Sequence, residues 1–412
     1  ESKSIKEVCE SLKLDSSVAK DLGKYIFEKD ENINLYKHQA ESLVSVFKNE
    51  NPIITSGTGS GKTESFLLPI FARLLLESKK WESPASLNQW WSSDYQKKEW
   101  SHSRTNSKRK SAVRSLILYP MNALVEDQLT RLRNLFFSYN HKGSPEFFFG
   151  RYTGASTGSM SKAKKALNGL LKMSEVRSEK LEISKLIEEL EDVNASTKMT
   201  QKQKNNALLQ LQDPSKGEMY TRWDMIQAPP DILISNFSML NLMLLREEEE
   251  NIFNATREWL KESASNVFTL VIDEIHLYRG TAGTETALTI RNLLARLGLK
   301  EGSNQLTCIA TSASIDGDKQ GKKYLQEFFG ISENTFRIIP GKIKTPTNTG
   351  KLTEADLKGI SDSSTDEELK SWASENNLSQ KVAYYFELNK MNRSHKPIQK
   401  DEVGHYYPSK ID

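Results

Sequence analysis

Thr55-Ser56-Gly57-Thr58-Gly59-Ser60-Gly61-Lys62-Thr63 is the stretch that decides the fold. A short apolar run, Pro52-Ile53-Ile54, leads into it. A helical run leads out, from about Lys62 to Leu76, apolar from Phe66 onward and broken only by Arg73. Glycines let the backbone curl so that its N–H groups face inward, and the helix N-terminus adds a partial positive charge. Together they form a cradle for phosphate. Lys62 can reach the β- and γ-phosphates of a nucleotide, and the Thr63 hydroxyl can ligate Mg²⁺. Ser56 stands where such loops usually carry Gly or Ala; it is small enough to fit. A glycine-rich turn that binds nothing is the rival reading. The strand before it, the helix after it and the Lys-Thr pair argue against that.

Outward from this loop, apolar strands alternate with amphipathic helices. Val113 to Tyr119 reads as a strand ended by Pro120, with a helix from about Ala123 to Phe137 behind it. Phe147-Phe148-Phe149 begins another strand, Ile232-Leu233-Ile234 a third and Val267 to Ile272 a fourth. Leu306 to Ala310 reads as the last. The helix from about Thr284 to Leu297 ends at Gly298, where a C-terminal cap belongs. This rhythm indicates an α/β fold with a parallel sheet covered by helices on both faces. Residues 1–50 read as an N-terminal helical segment and 51–340 as the sheet domain. Residues 341–412, rich in Asp, Ser and Thr around Ser361 to Glu368, read as a linker and small helical piece.

Two insertions interrupt the sheet domain, at about 77–112 and 156–222. The first holds Trp81, Trp90, Trp91 and Trp100 and ends in Arg104, Lys108, Arg109 and Lys110. Aromatic and basic residues together can stack bases and bind phosphates. They can equally pack the insertion onto the body, the preferred reading. The second has helical spacing and reads as a hairpin. Its lysines Lys162, Lys164, Lys165 and Lys172 read as a solvated face.

Composition excludes several classes. No run of about 18 apolar residues exists, so no membrane span is expected. The 57 basic and 54 acidic side chains leave a net charge of only +3, so any nucleic-acid surface must be local. Cys9 and Cys308 lack metal-ligand spacing and fit a reducing cytoplasm.

The second chemical element is Leu270-Val271-Ile272-Asp273-Glu274-Ile275-His276. A buried strand delivers two carboxylates to its C-terminal edge, where α/β sheets bind ligands. Asp273 would hold Mg²⁺ and Glu274 would orient and deprotonate the attacking water.

The order of these motifs resembles the first RecA-like domain of a superfamily 2 helicase of the DEAD/DEAH type. Leu35-Tyr36-Lys37-His38-Gln39 resembles the adenine-reading motif, with Tyr36 and Gln39 at the base. Tyr119-Pro120-Met121-Asn122 resembles motif Ia, Arg151-Tyr152-Thr153-Gly154 motif Ib, and Ser235-Asn236-Phe237 the motif after it. Asp273 to His276 is similar to motif II in its DExH form. Thr311-Ser312-Ala313-Ser314 resembles motif III, which couples hydrolysis to domain motion. Tyr278-Arg279-Gly280-Thr281-Ala282-Gly283 and the run from Met121 resemble a group of large bacterial helicases. That group includes Druantia-type, DISARM-type and Mrf-type enzymes of phage defence and repair.

The resemblance implies an ATP hydrolase with ATP and Mg²⁺ as its cofactors. It implies catalytic roles for Lys62, Asp273, Glu274 and His276, and nucleotide contacts from Tyr36, Gln39 and Ser56 to Thr63. It implies nucleic-acid contacts at Pro120, Met121, Asn122, Thr153, Gly154 and Asn236, with DNA favoured over RNA. Coupling falls to Thr311, Ser312 and Ser314. No arginine-finger motif follows Ser314. The expected partners are therefore a second RecA-like domain, in the rest of a longer polypeptide or in another chain, and further defence-system subunits. The chain begins at Glu1, not Met, which favours the longer polypeptide. Two other readings stay open: a duplex DNA translocase serving a nuclease, and a non-motor ATP-dependent switch. Lys62→Ala is expected to abolish ATP binding, measured by titration with a fluorescent ATP analogue.

Overall fold

Buried strands must pair their backbone N–H and C=O groups with one another. Here they do so in one parallel sheet, seen in a computed structural model. The structure describes residues 3–56, 61–81, 86–140, 146–313, 315, 319–341, 398–400 and 406–408. Gly57, Thr58, Gly59, Ser60, Ser314 and most of 341–412 lie outside the described residues.

The strands are β1 (Asn51–Thr55), β2 (Ser115–Tyr119), β3 (Phe149–Arg151), β4 (Glu218–Met219), β5 (Ile232–Asn236), β6 (Phe268–Ile272), β7 (Leu306–Ser312) and β8 (Phe336–Pro340). Their order is β4-β3-β5-β2-β6-β7-β1-β8. The expectation that Leu306 to Ala310 is the last strand is corrected by β8. It pairs with β1 from Asn51↔Phe336 to Thr55↔Pro340. Its exposed Arg337 and terminal Pro340 suit an edge strand. Asn51 locks the register of β1 on both sides. Its Oδ1 accepts from Cys308 N–H at 2.7 Å, and its Nδ2 donates to Thr335 Oγ1 at 3.0 Å.

Alternate residues of each strand feed two separate cores, as the two-residue strand period requires. Ile53, Leu116, Leu118, Leu270 and Ile272 enter one; Ile54, Ile117, Tyr119 and Val271 enter the other. The helix Lys62–Ser78 and the N-terminal helices Ile5–Ser11, Ser16–Phe27 and Lys37–Phe47 pack on the second face. Residues Glu1–Gly341 form one compact unit. In Lys342–Asp412 the described residues form an antiparallel pair, Ile398–Lys400 with Tyr406–Pro408. No helix among the described residues is long and apolar enough to cross a membrane.

The tryptophan-rich insertion is packing. Trp90 is fully buried, meets Trp91 and Trp100 edge-on, and donates its Nε1–H to Asp224 at 3.2 Å. The basic residues beside it turn inward as well. Arg104, Arg109 and Arg114 converge on the buried Asp231 at the N-terminal end of β5, with Arg109 at 2.5 Å and Arg114 at 2.9 Å. Arg114 also grips Glu77, and Arg109 lies 3.8 Å over the Trp81 ring. The three guanidinium charges hold the Asp231 carboxyl well below the usual carboxylate range despite its burial. The second insertion contains the helices Met160–Leu167, Arg177–Ala195 and Gln201–Leu208. Lys162 and Lys165 are neutralised by Glu179 and Glu175.

Removing one member of a buried ion cluster leaves charge unpaired. Asp231→Ala is expected to destabilise this unit by about 3–5 kcal/mol in chemical denaturation. An unchanged midpoint would contradict the clustering.

Candidate functional site

The parallel sheet places the carboxyl ends of all its strands on one edge, and the sheet order sorts the motifs along it. The neighbours β6, β7 and β1 carry Asp273–Glu274, Thr311–Ser312 and the phosphate-loop sequence. The neighbours β3, β5 and β2 carry Thr153–Gly154, Asn236 and Pro120–Met121. One half of the edge thus gathers the candidate nucleotide residues, and the other half gathers the candidate nucleic-acid residues.

In the first half, Lys62 opens the helix Lys62–Ser78, and Gly61 before it is left-handed at φ 80°. The Lys62 ammonium lies 2.6 Å from Glu274 Oε1. Glu274 is itself left-handed at φ 50°, a turn that swings its side chain off the axis of β6. Thr311 ties the two strand tips together. Its hydroxyl donates to Asp273 Oδ1 and accepts from Glu274 N–H at 3.0 Å. Burial pushes the Asp273 carboxyl above its ordinary value and the Glu274 charge adds to this, while the Thr311 hydrogen bond and Lys62 oppose it. His276 Nδ1 accepts from Ala313 N–H at 3.3 Å and lies 3.3 Å from Glu274 Oε2. These two contacts are alternatives, since a ring nitrogen that accepts a proton has none to donate. Ser56 is buried, with its N–H donating to Ser312 O at 3.3 Å.

Gln39 and Tyr36 flank the same cleft. Gln39 Oε1 accepts from Tyr36 N–H at 3.0 Å, and Gln39 Nε2 donates to Gly61 O at 3.3 Å. Tyr36 is largely exposed, its ring stacked on His38. The cleft measures about 490 Å³ and is lined by Tyr36, Gln39, Lys62, Thr63, Asp273 and Glu274. Thr63 and Asp273 offer it one hydroxyl and one carboxylate. That donor set suits Mg²⁺, which keeps several waters and takes phosphate oxygens rather than an all-protein cage.

Sequence reasoning missed part of the wall. Leu124, Gln128 and Arg131 line the cleft from the helix Asn122–Tyr139, and Arg131 is held by Glu64 at 2.8 Å. Their spacing of four and three residues puts them on one helix face, a signal the sequence did contain. Tyr324 was also missed; its hydroxyl donates to Tyr278 O at 2.7 Å and pins the turn after His276. Gly283 must be glycine because a Cβ there would strike the Tyr278 carbonyl.

In the second half, Met121 is exposed and Pro120 half-buried. Asn122 is the first residue of its helix, and its side chain lies outside the described residues. Thr153 is buried, and its carbonyl and that of Gly154 accept from Arg222 at 2.7 and 3.0 Å. Asn236 caps the helix Phe237–Leu245, its side-chain oxygen accepting from Met239 N–H at 2.7 Å.

Residues 36–176 match the DEAD/DEAH box helicase family. The chain carries a DEAD/DEAH box helicase domain. It is 35% identical over 371 residues to the Druantia protein DruE of Escherichia coli, across 79% of this chain and 19% of that protein. It is 29% identical over 104 residues to an uncharacterized ATP-dependent helicase of Methanocaldococcus jannaschii, across 25% of this chain and 14% of that one. The chain thus spans less than a fifth of either relative. A solved structure, the helicase MrfA bound to DNA and AMPPNP, aligns at TM-score 0.43 and 18% identity, covering 79% of this chain and 29% of that one.

A Cβ at Gly61 would meet Gln39 Nε2 at 2.6 Å on top of its left-handed backbone. Gly61→Ala is therefore expected to lower stability by about 1–2 kcal/mol. Gly154→Ala, with open space around it, is expected to stay within about 0.5 kcal/mol of the parent. Thermal melts of the two variants compare them directly; equal midpoints would contradict the crowding at Gly61.

Proposed function

We propose that this domain is the ATP-hydrolysing half of a DNA helicase or translocase, acting in the bacterial cytoplasm in anti-phage defence or DNA repair. The observation that carries this is the meeting of Lys62, Asp273 and Glu274 in one cleft beside Gln39. The family match supports the helicase class, and the identity with the Druantia protein supports the defence role.

In this reading the N–H groups around Gly61 and the Lys62 ammonium hold the phosphates, while Gln39 and Tyr36 hold the base. Thr63 and Asp273 hold Mg²⁺, which when bound neutralises phosphate charge. The Lys62–Glu274 contact then sets the order of events. Lys62 has to leave Glu274 before it can pair with phosphate. Glu274, once released, is free to orient water and accept its proton. Phosphate charge thus both fills the site and frees its base. His276 senses the same change, because Glu274 Oε2 and Ala313 N–H compete for its Nδ1. Thr311 and Ser312 carry the movement to the neighbouring strand, with Ser314 continuing that motif. The loops at Pro120–Asn122, Thr153–Gly154 and Asn236 offer backbone groups and helix N-termini to a nucleic-acid backbone. A second RecA-like domain completes the motor and supplies the arginine for transition-state charge. Other defence-system subunits are its further partners.

Glu274→Gln tests this reading. It removes the carboxylate that competes for Lys62 and the base that activates water. ATP affinity is expected to hold or to tighten by up to about tenfold. DNA-stimulated turnover of the full-length protein is expected to fall about a hundredfold or more. Normal stimulated hydrolysis in this variant would refute the role given to Glu274.

A further inference from the structure

Arg73 is the charge that breaks the apolar run of the helix Lys62–Ser78, and the nucleotide cleft makes no use of it. It lies three turns beyond Lys62, about 16 Å along the helix axis. There it faces a separate cleft of about 370 Å³ at the opposite, amino-terminal edge of the sheet. Leu74 of the same helix, Trp259 and the starts of β2 and β6 at Ser115 and Thr269 wall this cleft.

Among the described residues the guanidinium is held only by neutral groups. Nη1 donates to Thr307 Oγ1 at 2.9 Å and to Thr269 Oγ1 at 3.2 Å, and Nη2 donates to Val46 O at 3.2 Å. A guanidinium has five N–H donors. The Nε–H and one Nη2–H of Arg73 therefore have no acceptor among the described residues, and no described carboxylate pairs with it. The arginines nearby differ: Arg104, Arg109 and Arg114 share Asp231, and Arg114 also takes Glu77. With no carboxylate to oppose it, burial pushes the Arg73 pKa down to about 10. Lys80 lines the same cleft and makes no ion pair among the described residues. Glu77, the carboxylate in the wall, is already committed to Arg114 and to Trp259 Nε1–H. The cleft thus presents unspent positive charge and free donors beside apolar walls. Apolar walls on one side and two cationic groups on the other suit an anion carried at the end of an apolar stem.

We propose that this cleft is a second ligand site, one that takes a monocarboxylate on an apolar stem. The carboxylate meets the free N–H groups of Arg73 and the ammonium of Lys80, and the stem lies against Leu74 and Trp259. Such a carboxylate has two sources, a small-molecule acid or a glutamate side chain within a protein segment.

The test is a calorimetric titration of the whole chain with hydrocinnamate, its neutral amide, inorganic phosphate and a blocked Leu-Glu-Leu tripeptide. The side-chain Nε–H resonance of Arg73 is followed in parallel by NMR with isotope-labelled arginine. Hydrocinnamate is expected to bind with Kd on the order of 1 mM and to shift that resonance. The amide and phosphate are expected to bind at least about tenfold more weakly. Arg73→Gln is expected to lose binding. Lys80→Ala, at the exposed mouth, is expected to weaken it about threefold and keeps the test decisive if Arg73→Gln fails to fold. Tighter binding of the tripeptide than of the free acid assigns the site to a protein segment, and the reverse order to a small molecule. Equal binding of acid and amide, stronger binding of phosphate, or an Arg73 resonance unmoved by saturating acid and peptide would each overturn the proposal.

Discussion

A lysine ammonium and a glutamate carboxylate, 212 residues apart in the chain, meet at 2.6 Å at the carboxyl edge of a parallel sheet. The geometry of the candidate site follows from that contact. It requires β1 and β6 to point the same way with β7 between them, which the register Ile53↔Ala310 and Ile272↔Ala310 provides. It requires a left-handed Gly61 on one side and a left-handed Glu274 on the other. It also gives the Lys62 ammonium an internal counter-ion in a half-buried cleft.

The two edges of the sheet do different physical work. At the carboxyl edge, Lys62, Glu274 and His276 meet beside an open cleft, Lys62 at Glu274 and His276 between Glu274 and Ala313. At the amino edge, Asp231 binds three arginines at once, and Trp90 and Trp100 pack edge-on in the buried core. A buried, multiply bonded cluster resists rearrangement, whereas single contacts can be traded for a ligand. Arg73 is the exception at this edge, a half-buried cation with no carboxylate partner among the described residues.

Much of this was legible in the residues. The apolar runs of β1, β2, β5 and β6 stand out because strands buried on both faces need them, and the acidic pair after Ile272 falls where the sheet delivers ligand groups. The glycine-lysine-threonine loop placed the helix start at Lys62, where the structure has it. Other features were not legible, for physical reasons. The two residues of β4 are too few to show a period, and β8 is a five-residue run interrupted by Arg337 whose place beside β1 only folding reveals. Asp231 is one carboxylate among 54 acidic residues until folding brings Arg104, Arg109 and Arg114 to it from more than a hundred residues upstream. Two of the four basic residues in that sequence cluster, Arg104 and Arg109, turn inward onto Asp231. Of the loop itself, Gly57 to Ser60 lie outside the described residues, so the cradle is defined here by its ends, Ser56 and Gly61.

The measurement that bears most directly on this account is a crystal structure of the chain with a nonhydrolysable ATP analogue and magnesium. The account predicts the triphosphate against the turn before Lys62, the Lys62 ammonium moved from Glu274 onto phosphate, and the metal beside Asp273 and Thr63. A structure at saturating nucleotide with the cleft vacant and Lys62 still paired to Glu274 would contradict it.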